Sequence, residues 1–190
     1  MNKAFEELEE RLQEGKVLLG IDGRCASGKS TLGAHLAKKY DGVLLHMDDF
    51  FLRPEQRTAQ RYASPGGNVD YERFEEEILK PYKEGREIVY RPFDCSTFTL
   101  GEERSVPEKK LVIVEGSYAF VPSLIAYYDL KFFLDIDPSE QERRLKERNP
   151  EKWEMFREKW IPLEEMYFSH YDIASKADYI LKMPQNVSEN

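Results

Sequence analysis

The chain has 190 residues, 41% of them hydrophobic, which suits one domain with a sizeable core. Its 28 lysines and arginines against 36 aspartates and glutamates leave a net charge of −8. That balance argues against a nucleic-acid or anionic-membrane partner, so any positive potential must be built locally at a site.

Residues 1–15 are acidic and amphipathic, with Phe5, Leu8 and Leu12 on one stripe, and predict a helix rather than a signal or transit peptide. Residues 17–21 form a short apolar run that predicts a buried strand. Gly23-Arg24-Cys25-Ala26-Ser27-Gly28-Lys29-Ser30 then fits the pattern G-x-x-x-x-G-K-S/T, and residues 29–40 follow with helical periodicity. Strand, glycine-rich turn and helix start, in that order, are what phosphate binding requires. Backbone N–H groups turn inward around anionic oxygens, and the helix N-terminus adds partial positive charge. On this reading Gly23, Ala26, Ser27, Gly28 and Thr31 belong to the cradle, Lys29 reaches the outer phosphates, and Ser30 ligates Mg2+. A nucleoside triphosphate is the expected ligand. Cys25 reads as a small residue tolerated in the turn, and with Cys95 it forms no C-x-x-C pair, as suits reduced thiols in a cytoplasmic protein.

Residues 43–47 predict a second strand, followed by Asp48, Asp49, Phe50 and Phe51. Phosphoryl transfer needs a carboxylate that orients the attacking oxygen and takes its proton, and Asp48 is the candidate base. A solvated acidic loop is the plain alternative. Residues 53–68 are polar and rich in turn formers, and are expected to form a mobile substrate-side loop. A helix over 70–82, a strand over 88–90 and an irregular, hairpin-like excursion over 94–110 come next. Residues 111–114 predict a buried strand ending in Glu115, the place of a Walker B acid that binds Mg2+ directly or through water; Asp48 is a further candidate ligand.

A strand over 130–136 leads into a helix over 138–148 that carries Arg143, Arg144 and Arg148. These arginines read either as a lid supplying positive charge to a transferring phosphoryl group, or as a solvated ion-pair helix with Glu140, Glu142 and Glu147. Trp153, Phe156, Trp160 and Leu163 form a stripe on the helix over 151–171, expected to pack in the core, and 179–181 is the last strand. His35, His46 and His170 show no metal-ligand spacing and receive no role. Apolar strands alternating with amphipathic helices predict an α/β fold, a three-layer αβα sandwich with a mainly parallel sheet. Ligands in such sheets bind beyond the carboxyl ends of the strands.

These residues resemble the uridine kinase family of P-loop nucleoside kinases, relatives of phosphoribulokinase and bacterial pantothenate kinase. Residues 26–31 match the family's loop, Asp48-Asp49-Phe50-Phe51 looks like its D-S-F-Y segment, and Asn68-Val69-Asp70 resembles the N-x-D whose acid binds ribose hydroxyls. Glu115-Gly116, the three lid arginines and the closing segment from Pro162 to Ile180 are also similar. The resemblance covers residues 17–182. It implies one P-loop kinase domain over 1–190 with a lid at 138–150, ATP and Mg2+ as cofactors, and a small hydroxyl-bearing acceptor. It further implies Lys29, Asp48 and Arg144 as catalytic groups, Arg143 and Arg148 on the nucleotide, and Asp70 and Tyr90 on the acceptor.

One departure bears on that acceptor. Members that accept uridine carry Y-D-F-V-S-H-S at the base pocket, where this chain reads Tyr90-Arg91-Pro92-Phe93-Asp94-Cys95-Ser96. Cys95 stands near the His position, and a thiol lacks the strong directional hydrogen bond that imidazole offers a base edge. The acceptor is therefore open between a nucleoside and another hydroxyl metabolite, with Arg91 and Asp94 as candidate readers. The rival from another class is a nucleotide-dependent switch or regulatory ATPase, although no N-K-x-D guanine reader is present: Asn2-Lys3-Ala4-Phe5 lacks the acid. Self-association is left open.

Overall fold

A computed structural model describes residues 2–182 of the protein. The elements in chain order are helix α1 (Asn2–Glu14), strand β1 (Val17–Gly23), helix α2 (Lys29–Lys39), strand β2 (Val43–His46) and the short helix α3 (Ala59–Ala63). Helix α4 follows over residues 71–84, then strands β3 (Ile88–Tyr90), β4 (Phe93–Asp94), β5 (Thr99–Leu100), β6 (Arg104–Val106), β7 (Leu111–Glu115) and β8 (Leu130–Asp135). Helix α5 (Pro138–Arg148), helix α6 over residues 153–171 and strand β9 (Tyr179–Lys182) complete the chain.

Five strands form one parallel sheet in the order β2-β7-β1-β8-β9. Strand β1 is central and buried along its whole length, as the apolar run over residues 17–21 requires of a strand covered on both faces. Successive residues point to opposite layers. Leu18, Val112 and Val114 face a core built with α4, α6 and the turn after β7, whereas Leu19, Leu111 and Ile113 face α1 and α2.

Helices α4 and α6 each contain a widened π turn, at Glu75–Leu79 and Phe156–Trp160. Each lies just ahead of a helix-interior proline, Pro81 and Pro162. A proline cannot donate to the carbonyl four residues back and its ring clashes with that carbonyl, and an inserted residue relieves both problems.

Two expectations need correction. Residues 88–90 are a strand but do not join the parallel sheet; they pair antiparallel with Arg104–Val106. The Trp153, Phe156, Trp160 and Leu163 stripe is only partly buried and lies outside both cores, since helical spacing shows which residues share a face and not which face meets the core. The segment 53–68 contains a 3-10 turn and α3, with Gly66, Gly67 and Asn68 buried. Arg61 organises it, donating to the Gly67 and Val69 carbonyls and pairing with Glu72. The hairpin-like excursion is present as the β4–β5 pair. Among the described residues no helix is long and apolar enough to cross a membrane.

Candidate active site

The carboxyl ends of β1, β2 and β7 meet at one edge of the sheet, and the glycine-rich loop leaves from the central strand. Gly23 has φ +138°, and a Cβ there would stand 2.1 Å from the Leu134 carbonyl oxygen of the neighbouring strand. Only glycine permits this turn. Gly28, at φ +100°, starts α2 from a left-handed position, so the first N–H groups of the helix have no partner within it and face the loop.

Lys29 is almost fully buried, and its Nζ donates to the Gly23 carbonyl at 2.7 Å and the Arg24 carbonyl at 2.9 Å. Its third direction points to Ser117 Oγ, 3.4 Å away. Ser27 Oγ is buried with no hydrogen-bond partner. Ala26 and Thr31 flank this turn, Ala26 with φ +61°.

Ser30 Oγ donates to Glu115 Oε1 at 3.0 Å, and His46 Nδ1 lies 2.6 Å from the same oxygen. The register explains the meeting, since His46 and Glu115 are paired ends of β2 and β7. The Glu115 carboxylate holds the His46 ring above its usual pKa. His46 drew no role from its sequence spacing; its place at a strand end, level with the Glu115 run, was the available signal.

Asp48 follows β2 in a 3-10 turn and is open to the cleft. Protein crowds it on most sides nonetheless, and this loss of water raises its pKa, with the Glu115 carboxylate adding and the Lys29 and His46 charges opposing. Asp49 is committed elsewhere, accepting from Tyr90 Oη at 2.9 Å and from Arg104 at 3.4 Å. Tyr90 in turn stacks on Phe50 at 5.4 Å.

Asp70 is brought beside this segment by its backbone, its N–H donating to the Phe50 carbonyl at 2.7 Å. It is 2% exposed and caps α4 through Oδ1, while Oδ2 has no hydrogen-bond partner and stands 3.6 Å from Arg53 Nε. Arg91 and Asp94 bond within the hairpin: Arg91 donates to the Gly101 and Leu100 carbonyls, and Asp94 accepts from Ser96.

Helix α5 docks on the loop. Arg144 donates to the Ala26 carbonyl at 3.2 Å while pairing with Glu140, and the buried Gln141 donates to the Cys25 carbonyl at 3.0 Å. Arg143 is spent on Glu140 and Glu147, as an ion-pair helix would have it, and Arg148 is exposed. Glu164 on α6 is buried and accepts from the Cys25 N–H at 3.0 Å and from Ser117 Oγ at 2.6 Å. Burial and this carboxylate push the Cys25 thiol up, so it stays protonated and slow to oxidise. Gln141, Ser117 and Glu164 carry no local sequence signal, since each meets the loop from far along the chain.

Asp22 underlies the whole arrangement. Fully buried, it accepts from the N–H groups of Gly23 and Phe120 and from Tyr167 Oη at 2.6, 2.9 and 2.7 Å. Burial raises its pKa from 3.8 to about 6 against the pull of these donors. Between those values the unfolded chain is ionised while the folded one keeps its proton, so this group's contribution to stability falls as pH rises, by on the order of 3 kcal/mol. Unfolding free energies measured from pH 4 to 7 should therefore decline more steeply for the wild type than for Asp22→Asn. Parallel profiles would reject this assignment.

A groove of about 500 Å3 lined by Lys16, Ile88, Val106 and Glu108 lies at the opposite end of the strands, away from these groups.

No protein-family model matches the sequence, and no curated protein matches it. Solved structures do. A possible uridine kinase from Bacillus stearothermophilus aligns with TM-score 0.69 at 19% identity, over 93% of this chain and 100% of that one. A protein provisionally described as a fructose transport system kinase from Silicibacter sp. TM1040 aligns with TM-score 0.63 at 23% identity, over 93% and 96%. Shikimate kinase from Bacteroides thetaiotaomicron aligns with TM-score 0.53 at 16% identity, over 91% and 89%. The likeness establishes the fold: this is the αβα architecture of P-loop kinases, with a mainly parallel five-stranded sheet flanked by helices.

Proposed function

We propose that the protein is an ATP-dependent phosphotransferase that moves the γ-phosphoryl group of ATP to a hydroxyl of a small acceptor. The observation that carries this reading is the convergence of Lys29, Ser30, Glu115 and Asp48 at the paired ends of β1, β2 and β7. The residues present fit Mg-ATP. The orphaned, buried Ser27 Oγ, the unpaired first turn of α2 and the two positive-φ glycines make an anion cradle, with Lys29 at its edge. Ser30 and Glu115 would hold Mg2+, directly or through water. Among the described residues no cluster of three His, Cys, Asp or Glu could hold a metal, which suits a cation whose remaining ligands are phosphate and water oxygens.

Bound Mg-ATP supplies the phosphoryl group and the cation that offsets its charge. The chain supplies position and proton chemistry. Asp48 takes the acceptor's hydroxyl proton, and its raised pKa makes it a better base than a free aspartate. Asp70, with one unpartnered oxygen, orients the acceptor, and Arg144 adds positive charge from the lid. The motif set of the loop, Asp48 and Asp70 favours a nucleoside-like acceptor. A second reading, a non-nucleoside metabolite, is favoured by Cys95 in place of an imidazole and by Arg91 and Asp94 bonding inside their own hairpin.

The test is incubation with Mg-ATP and a panel of nucleosides, sugars and hydroxy acids, with phosphorylated products read by mass spectrometry. A monophosphorylated acceptor is expected. ATP hydrolysis that no acceptor stimulates would favour the regulatory ATPase instead.

A further inference from the structure

We infer that the acceptor carries an anionic group, a phosphate or a carboxylate, and that Arg57 is the residue that binds it while Asp48 meets the hydroxyl of the same molecule. This rests on the phosphotransferase reading above and follows its second branch, a non-nucleoside metabolite, since a nucleoside carries no anionic group.

Most arginines of the chain stand beside a carboxylate, Arg53, Arg61, Arg73 and Arg104 around this cleft among them. Arg57 does not. Its Nε donates to the Leu52 carbonyl at 2.9 Å, and its terminal nitrogens have no partner among the described residues. Two rings hold the guanidinium in place, Phe93 at 5.4 Å and Phe98 at 4.8 Å from its central carbon. Stacking occupies the face of the fork and leaves the donor edge free, the arrangement that suits bidentate contact with an oxyanion.

Phe98 adds a second observation. It is 49% exposed and sits at φ +58°, a left-handed position that costs a bulky residue about 1–2 kcal/mol. The turn hydrogen bond from Phe98 N–H to the Asp94 carbonyl, at 2.8 Å, holds it there. Strain and exposed apolar surface are both maintained where the ring covers Arg57, as is common in ligand clamps.

Arg57 is also near enough to Asp48 for one small molecule to span them. Its anchor, the Leu52 carbonyl, is four residues along from Asp48, so the backbone at Leu52 is at most about 14 Å from that at Asp48 even for extended chain. The fields of both side chains reach the Cys95 thiol on the facing hairpin, Arg57 favouring its thiolate and Asp48 opposing it. In a protein of net charge −8, a local cation of this kind favours the entry of an anionic acceptor.

The experiment is calorimetric titration of the full chain, with Mg-ADP present, against paired compounds: glycerate and glycerol, ribose 5-phosphate and ribose, uridine 5′-monophosphate and uridine. At least one anionic member should bind about tenfold or more tighter than its neutral twin, and Arg57→Gln should remove that preference. The glycerate pair against the two phosphate pairs separates a carboxylate from a phosphate. Arg57→Lys keeps the charge and should restore part of the preference, separating loss of the anion contact from loss of hairpin packing. Neutral twins that bind equally well, a preference that survives Arg57→Gln, or no binding by any anionic member at tens of millimolar each overturn the inference. Phosphoryl transfer confined to neutral acceptors would sink it while leaving the phosphotransferase reading intact. Arg57-dependent anion binding without transfer to any acceptor would do the reverse.

Discussion

Asp48→Asn should lower turnover about a thousandfold, within the range typical of losing a general base, while leaving affinity for Mg-ATP almost unchanged. The carboxylate stands one turn beyond β2, in the field of Lys29 and His46, and makes no hydrogen bond that holds the fold together. Its amide replacement keeps the shape and removes the proton acceptor. Initial rates with the acceptor identified by the panel, alongside titration of the nucleotide by calorimetry, give the two quantities separately. Full turnover in the variant would remove Asp48 from its role. A parallel loss of nucleotide affinity would make it a metal ligand before a base.

The second large effect is on stability. Gly23→Ala forces a Cβ to 2.1 Å from the Leu134 oxygen, at a φ of +138° that alanine avoids. The oxygen cannot retreat, because Leu134 pairs with Gly23 in the β1–β8 ladder and its carbonyl accepts from Arg24 N–H. Overpacking and backbone strain together should cost about 4 kcal/mol. For a domain this size that is a fall in melting temperature of about 10 °C, with nucleotide binding lost alongside. A variant melting within a degree or two of the wild type would mean that the end of β1 can swing away from β8.

Much of this was legible in the sequence, for physical reasons that can be named. The strand over 17–21, the loop to Ser30 and the start of α2 follow from local rules, and each is present. Glu115 was readable because a buried apolar run ending in an acid delivers that acid to the sheet's edge. The run at 88–90 was ambiguous because three apolar residues carry no information about their partner. The Trp153 to Leu163 stripe misled because amphipathic spacing does not name the face that is covered. Arg61's grip on Gly67, Val69 and Glu72, which orders much of 53–68, depends on one side chain reaching several backbone atoms, and no composition rule foresees that. Glu164 and Ser117 were invisible for a simpler reason: they approach Cys25 and Gly23 only after the chain has folded back on itself.

The Asp22 carboxylate ties the central strand of the sheet to a tyrosine 145 positions later. A nascent chain emerging from the ribosome cannot complete the support beneath its glycine turn until Tyr167 has cleared the exit tunnel. That support is therefore complete only once residue 167 is available, and shorter fragments would lack it even though the glycine-rich loop itself was translated first.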